Sequence, residues 1–326
     1  MALPIGPILG ILGDNLKQRG SVLPLTRAAA TRWSKGLDLP RGGETILYTG
    51  HMYQLIPAID AMASQMALLE NSRITKLLGM GRLVNKVINL SFFMSLMASK
   101  ELKQRNDEAL RNIVRLLQAA GVDFGYLYGD EMYSGALVYD EGMDDVFGAH
   151  ARRVAARFKK HGVKKVITVD PHTTNMLREI YPKFVKDFDV EVQSYLEVVA
   201  ENSPEVLQPQ DQTVAFHDSC VYARYESILA PPRELLAKAG VSVAEPELSG
   251  TNTHCCGGPI EALFPSEAHR ISKERVAQLE KAGKQIVTMC PICWVNLRKA
   301  ATEGTTVQDI SQLFSAAFVK SSQSCT

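Results

Sequence analysis

The chain has 326 residues, 46% of them hydrophobic and 22% charged, a length that exceeds one ordinary core and suggests two domains. Its 36 Lys and Arg against 35 Asp and Glu leave a net charge of +1. That balance excludes a global field that would draw in nucleic acid or an acidic surface.

Residues Met1 to Gly13 are apolar but carry Pro4, Pro7 and three glycines. They lack the basic start and small-residue cleavage site of a secretory signal, so a cytoplasmic protein is expected. ILYTGHMY (46–53) reads as a short apolar strand ending in a loop. From about residue 71 to 112 the chain reads as a helical insertion, expected to form a hairpin. Apolar residues recur through ITKLLGMGRLVNKVINLSFFMSLM, and KELKQRNDEALRNIVRLLQAAG forms an amphipathic helix stopped by Gly121. The insertion either packs as a decoration or docks on a partner or a membrane surface. Its apolar run Val87 to Ala98 has 12 residues, whereas a spanning helix needs about 20. The basic run ARRVAARFKKHGVKK (151–165) reads as the solvated face of a helix, with docking on an acidic partner as the alternative.

The chain also resembles itself. GVKKVITVDPHTTNML (162–177) matches GKQIVTMCPICWVNL (283–297), LLQAAGVDFGYL (116–127) matches LLAKAGVSVAEP (235–246), and ILYTGHMY matches VAFHDSCVY (214–222). Each copy therefore reads as three short strands with loops, joined by helices. Strands alternating with helices argue for an α/β fold of two duplicated parallel-sheet domains, in which sites collect at the carboxyl ends of strands. In the first copy 81 residues separate His51 from Tyr133, against 34 between Cys220 and Cys255. The helical insertion accounts for the excess.

The six cysteines are Cys220, Cys255, Cys256, Cys290, Cys293 and Cys325, and the first 219 residues have none. Clustering in a long chain points to metal binding or thiol chemistry more than to disulfides. CPIC (290–293) places two sulfurs on one turn, HCCGG (254–258) adds an adjacent pair, and HDSC (217–220) adds a single. Adjacent cysteines aim poorly at one small tetrahedral ion, so five thiols suit a multi-iron cluster better than zinc, which stays as the alternative. Gly257 and Gly258 allow a loop to wrap closely. His217 and His254 flank the cysteines and are candidate proton donors or hydrogen-bond partners of the cluster, with loop capping as the alternative. Trp294 is expected to shield the site from water, and Cys325 to be a solvated terminal thiol.

Cys220, Cys255-Cys256-Gly257 and Cys290-Pro-Ile-Cys293 resemble the CCG (cysteine-rich) domain found in the B-type subunit of heterodisulfide reductase and in related Fe–S oxidoreductases. That family also carries two copies in tandem, and GDEMYSGAL (129–137) echoes its first motif. The resemblance implies one noncubane [4Fe-4S] cluster held by Cys220, Cys255, Cys256, Cys290 and Cys293. It implies residues 1–44 as an extension, 45–205 as a degenerate CCG domain, and 206–326 as the intact, cluster-binding one. In the degenerate copy His51, Tyr133, Ser134, Asp170 and Thr173 stand where cysteines would be, so that site is expected to be empty. In an alternative reading, His51, Asp170 and His172 reuse it for a hard metal, a substrate or a quinone.

No phosphate loop, dinucleotide fingerprint or ferredoxin-type cysteine run appears in the sequence. The expected partner is therefore a ferredoxin-like chain carrying cubane clusters, within a heterodisulfide-reductase-like complex that can include a flavoprotein. Membrane contact, if any, is peripheral. The function expected is electron transfer between that partner and a disulfide, a thiol or another acceptor. The alternatives are a non-catalytic adaptor with a structural cluster or zinc, and electron delivery to quinone at the membrane.

Overall fold

The computed structural model describes residues 5–23, 25–69, 98–261 and 263–320. Helix α1 (Ile5–Arg19) turns Ile8, Leu12 and Leu16 inward at four-residue spacing, into a cluster that holds Phe147 and Val154. Strand β1 (Thr45–Tyr48) and helix α2 (Met52–Leu69) follow. Helix α3 (Lys100–Ala119) opens on Ser99, whose hydroxyl accepts from Leu102 N at 3.3 Å. It ends at Ala120, before Gly121 at φ +71°. The expected amphipathic helix is therefore present. The rest of the expected hairpin, with most of the Val87–Ala98 run, lies outside the described residues, as does Cys325.

The first sheet is completed by β2 (Gly125–Tyr126), helix α4 (Asp144–Lys160), β3 (Lys165–Thr168), helix α5 (Pro171–Asn175), β4 (Glu191–Ser194) and helix α6 (Tyr195–Asn202). The second runs through β5 (Gln212–His217), α7 (Ala230–Lys238), β6 (Val241–Ala244), α8 (Pro265–Ala282), β7 (Gln285–Thr288), α9 (Pro291–Ala300), β8 (Thr306–Asp309) and α10 (Ile310–Phe318). Strand order is β2-β1-β3-β4 in one sheet and β6-β5-β7-β8 in the other, and every pairing is parallel. The two halves are thus a duplicated α/β unit, as the internal repeats predict.

The sequence reading counts three strands per copy, and the structure has four. The additional strands, EVQS and TVQD, are edge strands with no continuous apolar run. The central strands carry such runs because helices cover both of their faces, as in Ile46-Leu47-Tyr48 and Val166-Ile167.

One core joins the copies. Leu110, Ile113, Val114 and Leu117 of α3 lie in the same cluster as Leu47 and Ile167 of the first sheet, Phe216 and Val287 of the second, and Phe314 of α10. Burying each such side chain contributes roughly 1.5–3 kcal/mol. Polar bridges fix the orientation: Tyr53 donates to Asp309 Oδ2 (2.9 Å), and Arg178 pairs with Glu226 (3.1 Å). No helix among the described residues is long and apolar enough to cross a membrane.

Candidate metal centre

Three strand ends bring the cysteines together. Cys220 lies three residues beyond β5, and Cys290 two residues beyond β7. Cys290 is the N-cap of α9, with Pro291 at its first turn and Cys293 one step further in. Both sulfurs therefore sit at the positive end of a helix, a position that favours thiolate, though at Cys293 hydrogen bonding and burial outweigh it.

The Cys255-Cys256 loop is held from α8, where Ser272 Oγ donates to Cys256 O at 2.7 Å. Asp218 anchors it from below by accepting from Gly250 N (2.7 Å) while taking both arms of Arg233 at 2.8 Å. Gly257 turns at φ +81°, where an added Cβ would come within 3.1 Å of the Ala268 carbonyl carbon. A Cβ on Gly258 would overlap Ile292 Cγ2 and stand 3.4 Å from Cys256 Sγ. Both glycines are therefore required by close approach.

The thiols form one connected group. Cys220 donates to Cys255, Cys255 contacts Cys256, Cys256 contacts Cys293, and Cys293 contacts Cys290. Donation by Cys220 and Cys256 pulls the Cys255 thiol far down, and Gly257 N adds a bond to its sulfur at 3.3 Å. Burial opposes ionisation of Cys290, but Cys293 and the nearby His172 charge lower it nonetheless. Hydrogen bonding and burial raise Cys220, Cys256 and Cys293. Cys256, Cys290 and Cys293 are buried, whereas Cys220 and Cys255 are half-buried at the outer edge.

His217 belongs to this group: one of its ring nitrogens and the sulfurs of Cys256 and Cys293 lie within 4.8 Å of one another. Its Nδ1 accepts from Arg275 Nε at 3.0 Å, so the neutral ring carries its proton on Nε2. Burial, then the Arg275 charge, hold His217 well below the usual imidazole range. It is thus an N–H donor beside the sulfurs and a poor source of a free proton. His254 lies at the edge, with Nδ1 3.0 Å from Cys255 O and Nε2 3.8 Å from Glu274. Trp294 is 6% exposed and donates to Val307 O at 2.9 Å, with Arg298 over its ring.

Sequence reasoning missed Arg275. It is fully buried, donates to His217 and to Leu248 O (2.9 Å), and sets a positive charge beside Cys256 and Cys293. The signal was present: with Ala268, Ser272, Val276 and Leu279 it occupies the inward stripe of α8.

Five thiols linked pairwise in one chain of neighbours, close-approach glycines and a buried cation are a donor set suited to an anionic iron–sulfur cluster. A tetrahedral zinc ion would leave one thiol over.

The first copy keeps the frame without the donors. Asp170 occupies the N-cap of α5 as Cys290 does that of α9, accepting from Thr173 N at 2.9 Å. Tyr133, Ser134, Asp170 and Thr173 are all buried, and the space is closed. A Cβ on Gly50 would fall 2.8 Å from Thr173 Cγ2 and 3.0 Å from Ser134 Cβ. His51, Asp170 and His172 are not brought within metal-ligating reach of one another: His51 faces Glu131 at 3.5 Å, and His172 faces Asp140 at 3.5 Å.

Glu131 was another residue missed. It accepts from Thr49 N (2.5 Å), Thr49 Oγ1 (2.9 Å), Gly50 N (3.2 Å) and Tyr126 OH (2.7 Å), and burial pushes its carboxyl up to about 7. Between the copies, Met52, Tyr133, Leu137, His172, Gly258 and Ile292 line a small, mainly apolar cavity beside the thiol group.

A family model described as a cysteine-rich domain matches residues 97–178 and 214–298, together about half of the chain. Among curated proteins, the probable iron-sulfur-binding oxidoreductase FadF of Bacillus subtilis is 34% identical over 197 residues, 58% of this chain and 28% of its own length. The EtfAB:quinone oxidoreductase of Syntrophomonas wolfei is 30% identical over 62% of this chain and 30% of its own. A component of the dihydromethanophenazine:CoB--CoM heterodisulfide reductase of Methanosarcina acetivorans is 26% identical over 56% of this chain and 48% of its own. The chain therefore spans about a quarter to a half of these relatives.

Proposed function

Because the chain belongs to the cysteine-rich (CCG) domain family, with two copies of which the second alone carries thiols, we propose that it binds one iron–sulfur cluster through Cys220, Cys255, Cys256, Cys290 and Cys293 and serves within an oxidoreductase complex. The observation that carries this is the linking of all five thiols, each to a neighbour, beside the Gly257-Gly258 turn, with Cys256, Cys293 and His217 within 4.8 Å of one another. The iron–sulfur and oxidoreductase names of its relatives support it. When bound, the cluster, of the noncubane [4Fe-4S] type in this reading, supplies one-electron transfer.

The protein's own groups tune and gate that site. Arg275 offsets the negative charge of the thiolates, and His217 Nε2–H, buried with no hydrogen-bond partner among the described residues, is a donor left for a cluster sulfur. Trp294 keeps water from the inner side.

In this reading an uncharged acceptor, a disulfide or a quinone, approaches from the side of the small, mainly apolar cavity between the copies, whose lining holds no cysteine. His172 on its wall holds a proton at neutral pH. Burial works against that charge, but Asp140 and the nearby Cys290 raise its pKa to about 9. His172 takes the proton-donor role considered for His217, and His254 stands at the solvent edge where a partner iron–sulfur protein would deliver electrons. Anaerobic purification with iron and sulfide assays and EPR tests the proposal. Iron and sulfide in cluster proportion are expected, and zinc without iron would overturn it.

A further inference from the structure

The basic run at 151–165 is read from sequence as a solvated helix face, yet two of its arginines turn toward a cavity. That cavity, about 220 Å³, opens beside the first copy where the end of α1, the short helix Arg27–Ala30 and α4 meet. Arg27, Arg153 and Arg157 stand around it, and His51 and Glu131 line it.

The arginines are only lightly engaged. The Arg27 side chain makes no hydrogen bond or ion pair among the described residues, and Arg153 reaches Lys17 O at 3.4 Å. Arg157 contacts Asp130 at 3.4 Å, but that carboxylate also serves Arg41 at 3.2 Å and His161 at 3.4 Å. Positive charge therefore exceeds negative at the rim.

The lining residues point the same way. His51 is 7% exposed, with both ring nitrogens buried, no hydrogen-bond partner among the described residues, and Nε2 3.5 Å from Glu131. Its backbone is held at φ +58°, a conformation that costs a non-glycine residue free energy and collects at ligand sites. Burial keeps the Glu131 carboxyl up at about 7 and the His51 ring down at about 3, so the imidazole adds no charge near neutral pH and the carboxyl adds only part of one.

We propose that this cavity binds a small oxyanion of charge two, a phosphate or a short dicarboxylate, clasped by Arg27, Arg153 and Arg157. Guanidinium forks match both groups bidentately. The volume lies below the roughly 300–1,000 Å³ of sites for drug-sized ligands, which limits the guest to this class. The site lies in the copy without cysteines and does not depend on the cluster.

Isothermal titration calorimetry of the full chain, purified anaerobically, tests this with inorganic phosphate and, separately, malonate, chloride holding ionic strength constant. Saturable binding of at least one is expected, and which one tells phosphate from carboxylate. Arg27→Ala/Arg153→Ala, on two exposed side chains, is expected to weaken it about tenfold or more, the loss of charge-assisted hydrogen bonds. Arg27→Gln gives the same reading should the double variant fail to fold. No saturable heat with either anion, or unchanged affinity in the variant, overturns the proposal.

Discussion

Gly257→Ala separates the two reasons a glycine is needed in the thiol loop. The position turns at φ +81°, which costs an L side chain roughly 1–2 kcal/mol. The new Cβ would also press into the Ala268 backbone, with the carbonyl carbon at 3.1 Å and Cα at 3.2 Å. Backbone inside α8 cannot yield as a flexible side chain would, and overpacking of this kind adds about 1–3 kcal/mol. Gly304 provides the control, since it has φ +77° and nothing within 4 Å of an added Cβ. Gly304→Ala should therefore cost about 1–2 kcal/mol from backbone strain alone, and Gly257→Ala roughly twice to three times as much. Denaturant unfolding of the metal-free proteins reads both stabilities, and iron assay of anaerobic preparations reads cluster retention. Gly257→Ala should lose iron and Gly304→Ala should keep it. Equal destabilisation of the two, or full iron in Gly257→Ala, would refute the close-approach argument.

Three further outcomes follow from the buried charges and thiols. Cys293→Ser should lower iron from about four atoms per chain to under one while leaving far-UV circular dichroism unchanged; full iron would remove Cys293 from the ligand set. Arg275→Leu deletes a buried positive charge beside Cys256 and Cys293, so the cluster potential should fall in a redox titration followed by EPR, and an unchanged or higher potential would show that Arg275 does not act on the site. Burial raises Glu131 to about 7; its raised folded pKa makes the stabilisation complete below the unfolded value, near pH 4.5, and lost as pH rises through about 7, a change of about 3 kcal/mol. Asp170, raised to about 6, acts in the same direction, whereas His51 and His150, lowered to about 3 and about 4, oppose it as pH falls below 6.5. The stability difference between wild type and Glu131→Gln should therefore slope across pH 4.5 to 7, and a flat difference would disprove the assignment.

What the sequence made legible was whatever is written locally. A cysteine is a soft donor wherever it lies, and a strand-loop-helix spacing repeated twice places it at a strand end. Helix α3 was equally plain, because inward Leu110, Ile113, Val114 and Leu117 recur at helical spacing and Gly121 ends the pattern. The edge strands Glu191–Ser194 and Thr306–Asp309 were missed because three of the four positions in each are polar. Arg275 was missed for a different reason. A cation on an amphipathic helix is ordinarily solvated, and only the partners His217 and Leu248, contributed by distant segments, show what its burial serves. Closure of the first pocket depends likewise on Gly50 meeting Ser134 from another loop and Thr173 from α5. Contacts between loops far apart in the chain leave no period or spacing to read.

The two copies share one frame and differ in what they bury. The second encloses soft thiols with a buried cation, while the first encloses Glu131, Asp170, His51 and His150 among small, closely packed residues. Desolvation drives those acids toward their protonated forms and those imidazoles toward their neutral ones. Such a pocket offers neither soft donors nor stable charge, so it has nothing with which to hold a second cluster. Its contribution is instead geometric: Tyr133, Leu137 and His172 form one wall of the cavity whose other wall is Gly258 and Ile292 of the thiol-bearing copy. Because one core of α3 and α10 joins the sheets, the spacing of those walls is fixed by the same packing that stabilises the fold. The absence of cysteines from the first copy therefore leaves the wall it presents to the thiol-bearing copy intact.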